Sequence, residues 1–219
     1  MRIGIVGAGR IGGNCARQFA KGGHVVKLSG RDPSKLEPLA DEIGAAASIG
    51  SPAEAAEFGE VVVFAVPWDG FADAVSSAGS LEGKIVIDTT NQYGSSEMPA
   101  DGQTAASFHA AQVPGARYTK SFNTLTSAFQ AEVADRPEAD RVVQWVCGDD
   151  ADAKRAAMGL IAAAGYAPVD LGQNADAEVM EAPRRDGAVY GEEYRLPDAE
   201  KVVEAVKAGE PIPPTPSYS

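Results

Sequence analysis

Arg2-Ile3-Gly4-Ile5-Val6-Gly7-Ala8-Gly9-Arg10-Ile11-Gly12 opens the chain and decides its fold. Arg2 to Val6 is short, apolar and rich in β-branched residues, and it runs straight into a GxGxxG string. A helical run follows, with Ile11, Cys15 and Phe19 four residues apart, and then a second apolar strand from His24 to Leu28. In that setting the glycines have distinct duties. Gly7 turns the chain tightly, Gly9 lets the backbone approach a pyrophosphate, and Gly12 lets the helix lie close to the sheet. The amides of Arg10, Ile11 and Gly12, at the positive end of the helix dipole, then face the phosphates. A plain strand-to-helix turn is the competing reading.

The end of the second strand selects the nucleotide. An Asp or Glu there accepts hydrogen bonds from a ribose 2′-hydroxyl and favours NAD. This chain has Ser29-Gly30-Arg31-Asp32-Pro33-Ser34-Lys35 instead. Arg31, with Ser29 and Lys35 near it, suits the 2′-phosphate of NADP(H). Two charge-assisted contacts of roughly 1.5–3 kcal/mol each shift preference on the order of a hundredfold or more. Asp32 reads as an N-cap, with Pro33 in the first turn after it.

At 219 residues the chain has room for one large domain, or one domain with an appendage. No apolar run approaches the roughly 20 residues of a membrane span. A strand beginning two residues from the start leaves no room for a signal peptide, so a cytoplasmic setting is expected. The net charge of −12 argues against nucleic acid or an anionic membrane as partner. Two cysteines, Cys15 and Cys147, read as small core residues, and neither a disulfide framework nor a metal site is expected.

Strand and helix alternate through the rest. Helix signals cover Lys35–Ile43, the stretch after Ser51-Pro52-Ala53-Glu54, Asp69–Val75 and Gln103–Gln112, and one opens at Gly148-Asp149-Asp150. Strand signals cover Ala46–Ile49, Val61–Val66, Lys84–Ile87, Arg117–Phe122, Arg141–Cys147 and Ala167–Leu171. This predicts an α/β fold of the doubly wound Rossmann type. A mostly parallel sheet would span residues 1–172, with a short irregular C-terminal extension over 173–219. That extension carries a late helix from Asp198 to just before Gly209 and a Pro-rich end expected to be extended or frayed. It would serve as tail, lid or dimer contact.

Ligands in such sheets bind beyond the carboxyl ends of the strands. Those ends offer the glycine loop, Ser29 and Arg31, Ala65-Val66-Pro67-Trp68, Thr89-Thr90-Asn91 and Phe122-Asn123-Thr124. The Trp68 ring would either border a cofactor or pack. Thr90, Asn91 and Asn123 suit a nicotinamide carboxamide, ribose hydroxyls or an acceptor, or else serve as turn residues. His24, at the wrong end of a strand, and His109, inside a helix, are poor catalytic candidates, and no catalytic residue is assigned.

These segments resemble the deazaflavin-dependent NADP oxidoreductases, the family that contains the NADPH:coenzyme F420 reductases. The resemblance rests on MRIGIVGAGRIGGN, SGRDPSK, AVPWDGFADAV, DTTN, KSFNTL and VCGDDADAK, and covers about Met1 to Gly172. It implies that Arg31, with Ser29 and Lys35, meets the 2′-phosphate. It also implies that Ala65 to Trp68 flanks the nicotinamide and that the Asn123 strand end lines the acceptor pocket. The implied chemistry is direct hydride transfer between NADPH and a second redox cofactor, coenzyme F420, which needs no protein acid or base. The charged extension departs from the more apolar end of deazaflavin users, so a flavin, metal chelate or small carbonyl acceptor stays open, as does a sensor without turnover. Fewer than about fifty residues follow Gly172, too few for a helical substrate domain. The second substrate must then be held by the sheet domain, the tail or a dimer mate, and a homodimer is expected.

Overall fold

The computed structural model describes residues 1–218. Eight strands form one sheet: β1 Arg2–Val6, β2 Val25–Ser29, β3 Ala47–Ile49, β4 Val61–Phe64, β5 Ile85–Asp88, β6 Arg117–Ser121, β7 Val143–Cys147 and β8 Ala167–Gly172. Their spatial order is β3-β2-β1-β4-β5-β6-β7-β8. The first six are parallel, and the order reverses between β1 and β4, where such sheets open a ligand crevice. β4 reads VVVF and is buried along its whole length, as both faces are covered.

Helices α1 Arg10–Lys21, α2 Glu37–Ile43, α3 Pro52–Phe58, α4 Phe71–Ala78, α5 Ala105–Ala110, α6 Ser127–Val133, α7 Ala151–Ala163 and α8 Leu196–Ala208 complete the chain. Local chemistry starts several of them. The Ser51 hydroxyl accepts from the Glu54 amide while the Glu54 carboxylate accepts from the Ser51 amide, a reciprocal cap on α3. Asp32 takes the Ser34 amide at the head of a 3₁₀ turn over Pro33–Leu36, as read from the sequence. Asp150 caps α7.

Each face of the sheet carries its own apolar core. One holds Ile3, Ile5, Phe19, Val63, Phe122, Leu160 and Tyr166, the other Phe64, Phe71, Val86, Trp145, Tyr194 and Val202. The extension thus contributes to the second core. α8 packs on β8, and Tyr194 meets Trp145 edge-on with centroids 5.4 Å apart. The Pro-rich end is not frayed up to residue 218. The Tyr218 hydroxyl accepts from the Arg195 amide at 2.9 Å and donates to Asp198 at 2.8 Å. Ser219, the last residue of that expectation, lies outside the described residues.

β7 runs antiparallel to β6, pairing Lys120 with Cys147 and Ser121 with Val146, and β8 runs parallel to β7. The Gly148-Asp149-Asp150 turn therefore falls at the amino end of β6, away from the ligand edge. There Asp150 takes both arms of the Arg117 guanidinium at 2.8 Å. β8 ends at that same amino edge, and the 3₁₀ segment Asn174–Met180 carries the chain across to the carboxyl end of β6, where Asn123 Nδ2 donates to the Met180 carbonyl at 2.7 Å.

Candidate functional site

The glycine loop has the geometry its sequence requires. Gly7 sits at φ 94°, and a Cβ there would stand 2.6 Å from the Ala65 carbonyl oxygen. A Cβ on Gly12 would meet the Gly7 carbonyl oxygen at 2.4 Å, so helix and loop close on each other. A Cβ on Gly9 would meet nothing within 4 Å, so this side of the loop faces open space. The first-turn amides of α1, from Arg10 onward, have no partner within the helix and point to that side. Arg10 is exposed, and Ile11 packs against the first core.

Past β2, Arg31 and Lys35 are both exposed. Lys35 Nζ lies 3.5 Å from the Asp32 carboxylate, whose pKa is lowered chiefly by the Ser34 hydroxyl. Lys35 is thus shared with Asp32, whereas Arg31 has no ion-pair partner among the described residues. Ser29 does not present its hydroxyl to this corner. The strand extends one residue further than its apolar run, pairing Ser29 with Val6, and the fully buried hydroxyl donates to the Ile5 carbonyl at 3.2 Å. Its own carbonyl accepts from the Gly7 and Ala8 amides, both at 3.0 Å, and so pins the loop to β2.

Ala65 and Val66 follow β4 half-buried, and Pro67 is exposed. The Trp68 ring is 3% exposed, stacks on His109 at 4.0 Å and donates from Nε1 to the Glu97 carbonyl. It packs inside and offers no open face. His109, expected to be bland, is held between two rings, with the Phe71 centroid 3.7 Å away on the other side.

Around His109 lies a buried polar cluster that motif reading missed. Asp88 and Lys120 are each 0% exposed. The Asp88 carboxylate accepts from Tyr118 Oη at 2.7 Å and stands 2.9 Å from His109 Nδ1 and 3.6 Å from Lys120 Nζ. Burial pushes its pKa up. The Lys120 ammonium, with His109 and Tyr118, more than offsets this and holds the carboxyl well below the usual range. Burial, with Asp88 beside it, drives the Tyr118 phenol well up. Together the cluster grips Thr90. Asp88 Oδ1 takes the Thr90 amide at 2.7 Å, Lys120 Nζ donates to the Thr90 carbonyl at 2.7 Å, and the hydroxyl lies 3.1 Å from His109 Nδ1. The only sequence signal was a lysine inside the buried strand Arg117–Ser121.

Beyond Thr90, two amides tie the strand ends. Asn91 Nδ2 donates to the Asn123 carbonyl at 2.9 Å, and Asn123 Nδ2 donates to Asn91 Oδ1 at 3.2 Å. Asn123 is placed by a left-handed residue before it, Phe122 at φ 58°, whose carbonyl accepts from Gln130 Nε2. The structure thus brings together Thr90, Asn91 and Asn123 at one edge, and sets Trp68 behind them. Asn123 Oδ1, Thr124 Oγ1 and Gln92 Oε1 are buried without a hydrogen-bond partner. Among the described residues no group of three His, Cys, Asp or Glu side chains could hold a metal, and no helix is long and apolar enough to cross a membrane.

Glycine loop, cationic corner and strand ends together have the form of a Rossmann-type dinucleotide-binding edge. Residues 2–92 match the family described as NADP oxidoreductase, coenzyme F420-dependent, which agrees with the resemblance read from the motifs. Rat metalloreductase STEAP3 is 28% identical over 181 residues, 83% of this chain, yet the chain spans only 36% of that protein's length. Among solved structures, the hypothetical protein SMa0349 of Sinorhizobium meliloti superposes with a TM-score of 0.78 at 29% identity, covering 90% of this chain and 95% of that one. A protein from Arthrobacter sp. FB24, provisionally named an F420-dependent NADP-reductase, has a TM-score of 0.68 at 26% identity, covering 81% and 87%. The Aspergillus terreus reductive aminase, solved with NADPH4, cyclohexanone and allyl amine, shares the fold at 24% identity and a TM-score of 0.59 over 80% of this chain and 55% of that one.

Proposed function

We propose that this protein is an NADP(H)-dependent oxidoreductase that transfers hydride between NADPH and a second redox cofactor, coenzyme F420 being the leading acceptor. The observation that carries the reading is the loop around Gly9, crowded on the sheet side and open on the other, with Arg31 exposed one strand end away. Its amides suit a pyrophosphate, and Arg31 suits a 2′-phosphate, with Lys35 shared with Asp32.

The bound nucleotide supplies the hydride chemistry, and the chain's task is placement. The Asp88–Lys120–His109 cluster fixes the Thr90 backbone, and the Asn91–Asn123 bridge fixes the two strand ends relative to each other. Two ring systems held in register in a dry crevice need no side-chain acid or base for hydride transfer. A flavin or metal-chelate acceptor is the second reading, favoured by the likeness to a metalloreductase. A homodimer belongs to the same proposal; Tyr93, Met98 and Leu196 are large exposed side chains on which an interface can draw.

The test compares two alanines. Gly9→Ala, with open space around its Cβ, is expected to lower the melting temperature less than Gly12→Ala does and to lose NADPH affinity. Gly12→Ala loses stability and affinity alike. If Gly9→Ala binds NADPH as the parent does, the loop is not the pyrophosphate site. NADPH oxidation with the deazaflavin, a flavin and a ferric chelate then ranks the acceptors, and tight binding without turnover on any of them indicates a sensor.

A further inference from the structure

Tyr93 is the only exposed aromatic side chain among the described residues, with 55% of its surface open. It follows β5, which ends at Asp88, and so stands at the ligand edge of the sheet. The Asn91 side chain is tied to Asn123, and the Tyr93 amide donates to the Asn91 carbonyl at 2.7 Å, so the ring is set directly beyond the gripped Thr90–Asn91 end. From there the loop turns back to the β4 end. The Asp69 carboxylate accepts from the Ser95 amide at 3.0 Å and from the Ser96 amide at 2.8 Å, and Trp68 Nε1 donates to the Glu97 carbonyl at 3.0 Å. A stretch without helix or strand is thereby anchored on both sides of the ring.

The extension brings a second ring to it. The Gly191 amide donates to the Thr124 carbonyl at 2.8 Å, which places Tyr190 at the β6 end. The Tyr190 hydroxyl lies 3.4 Å from that of Tyr93, with ring centroids 6.5 Å apart and planes inclined at 57°. The pair is inclined and not stacked, so Tyr190 steadies the hydroxyl end of Tyr93 and leaves its ring face open. Burial, with Tyr93 beside it, pushes the Tyr190 phenol up, so no charge stands at this contact. An open, uncharged π face at a ligand edge suits another flat ring, which adds to area burial by offset stacking. We infer that Tyr93 is a specificity-determining residue of the second-substrate subsite, the platform on which a flat conjugated ring of that substrate stacks, in preference to an aliphatic carbonyl compound. This rests on the proposed oxidoreductase reading for its role, though not for the binding itself. It reserves Tyr93 for the ligand and leaves Met98 and Leu196 to any subunit contact.

The probe is riboflavin, a flat conjugated ring whose emission is quenched when it stacks on tyrosine. It is titrated into the full chain with NADP⁺ present, and emission is followed. Riboflavin is expected to bind and to be quenched. Tyr93→Leu, which keeps apolar bulk without a ring, is expected to weaken binding roughly two- to tenfold, the worth of one aromatic pair, and to relieve the quenching. Tyr93→Phe, which keeps the ring, retains both. The side chain is exposed, so neither change empties a core position. Unaltered affinity in Tyr93→Leu overturns the inference. So do binding without quenching, an equal loss in Tyr93→Phe, and no binding to the parent. Sedimentation velocity on the same proteins covers the remaining occupant: if Tyr93→Leu splits an oligomer of the parent, a second copy sits on the ring and the inference falls. If NADP⁺ itself fails to bind while riboflavin binding follows Tyr93, the nucleotide reading fails and the platform stands.

Discussion

Replacing Lys120 by Met leaves the Asp88 carboxylate in a fully buried position without its cation. The two groups stand 3.6 Å apart with both side chains at 0% exposure. At an effective dielectric near 20, an attraction at that separation is about 4–5 kcal/mol. Methionine also forfeits the charged hydrogen bond to the Thr90 carbonyl. Breaking a buried pair by removing one partner costs about 3–5 kcal/mol, a large share of the stability of an ordinary domain. Urea unfolding at neutral pH, followed by far-UV circular dichroism, is expected to show a loss of that size. Asp88→Asn in the Lys120→Met background is expected to recover a good part of it, because no uncompensated charge then remains. A loss under about 1 kcal/mol for Lys120→Met, or a double variant as costly as the two singles added together, would falsify the claim that the cluster is a coupled ionic unit.

Arg31→Ala is expected to lower the preference for NADPH over NADH about tenfold or more, measured by fluorescence titration, with Lys35→Ala having the smaller effect because Asp32 shares that ammonium. The folded Asp88 carboxyl lies below its ordinary value. Its stabilisation is therefore complete above the unfolded carboxylate value near ~3.9 and is lost as pH falls below it, so acid unfolding of the Asp88→Asn variant is expected to be shallower there than in the parent. Burial pushes the Cys15 thiol up to about 12 and raises Cys147 as well, so iodoacetamide at mildly alkaline pH is expected to label neither until urea unfolds the chain; rapid labelling of native protein contradicts their placement. Val202→Asp puts a carboxylate where α8 meets β8, at 0% exposure, and is expected to unfold the extension, seen as a shift in tryptophan emission around Trp145.

What could be read in advance was what the chain encodes locally. The first strand, the loop, α1, the Ser51–Glu54 cap and the Asp32-Pro33 turn all depend on residues a few positions apart, and the structure has each of them. Ser29 was misplaced because an apolar run understates a strand whose last residue is polar, and one more ladder pair turned its hydroxyl inward. The reversal of β7 has no local signature, since strand direction is set by what packs on either side. α6, opened by Thr126 and held by Gln130 reaching back to Phe122, was not among the helices read from the sequence. The cluster at Asp88 was invisible for the same reason in sharper form: its partners, His109, Tyr118 and Lys120, lie 21 or more residues away.

The Asn123-to-Met180 hydrogen bond joins residues 57 positions apart. The glycine loop closes within the opening βαβ unit, whereas the contact at Asn123 must wait for the end of the chain to be made and folded back. On a growing polypeptide the loop and all its neighbours in that unit are made long before the Met180 carbonyl exists to receive Asn123.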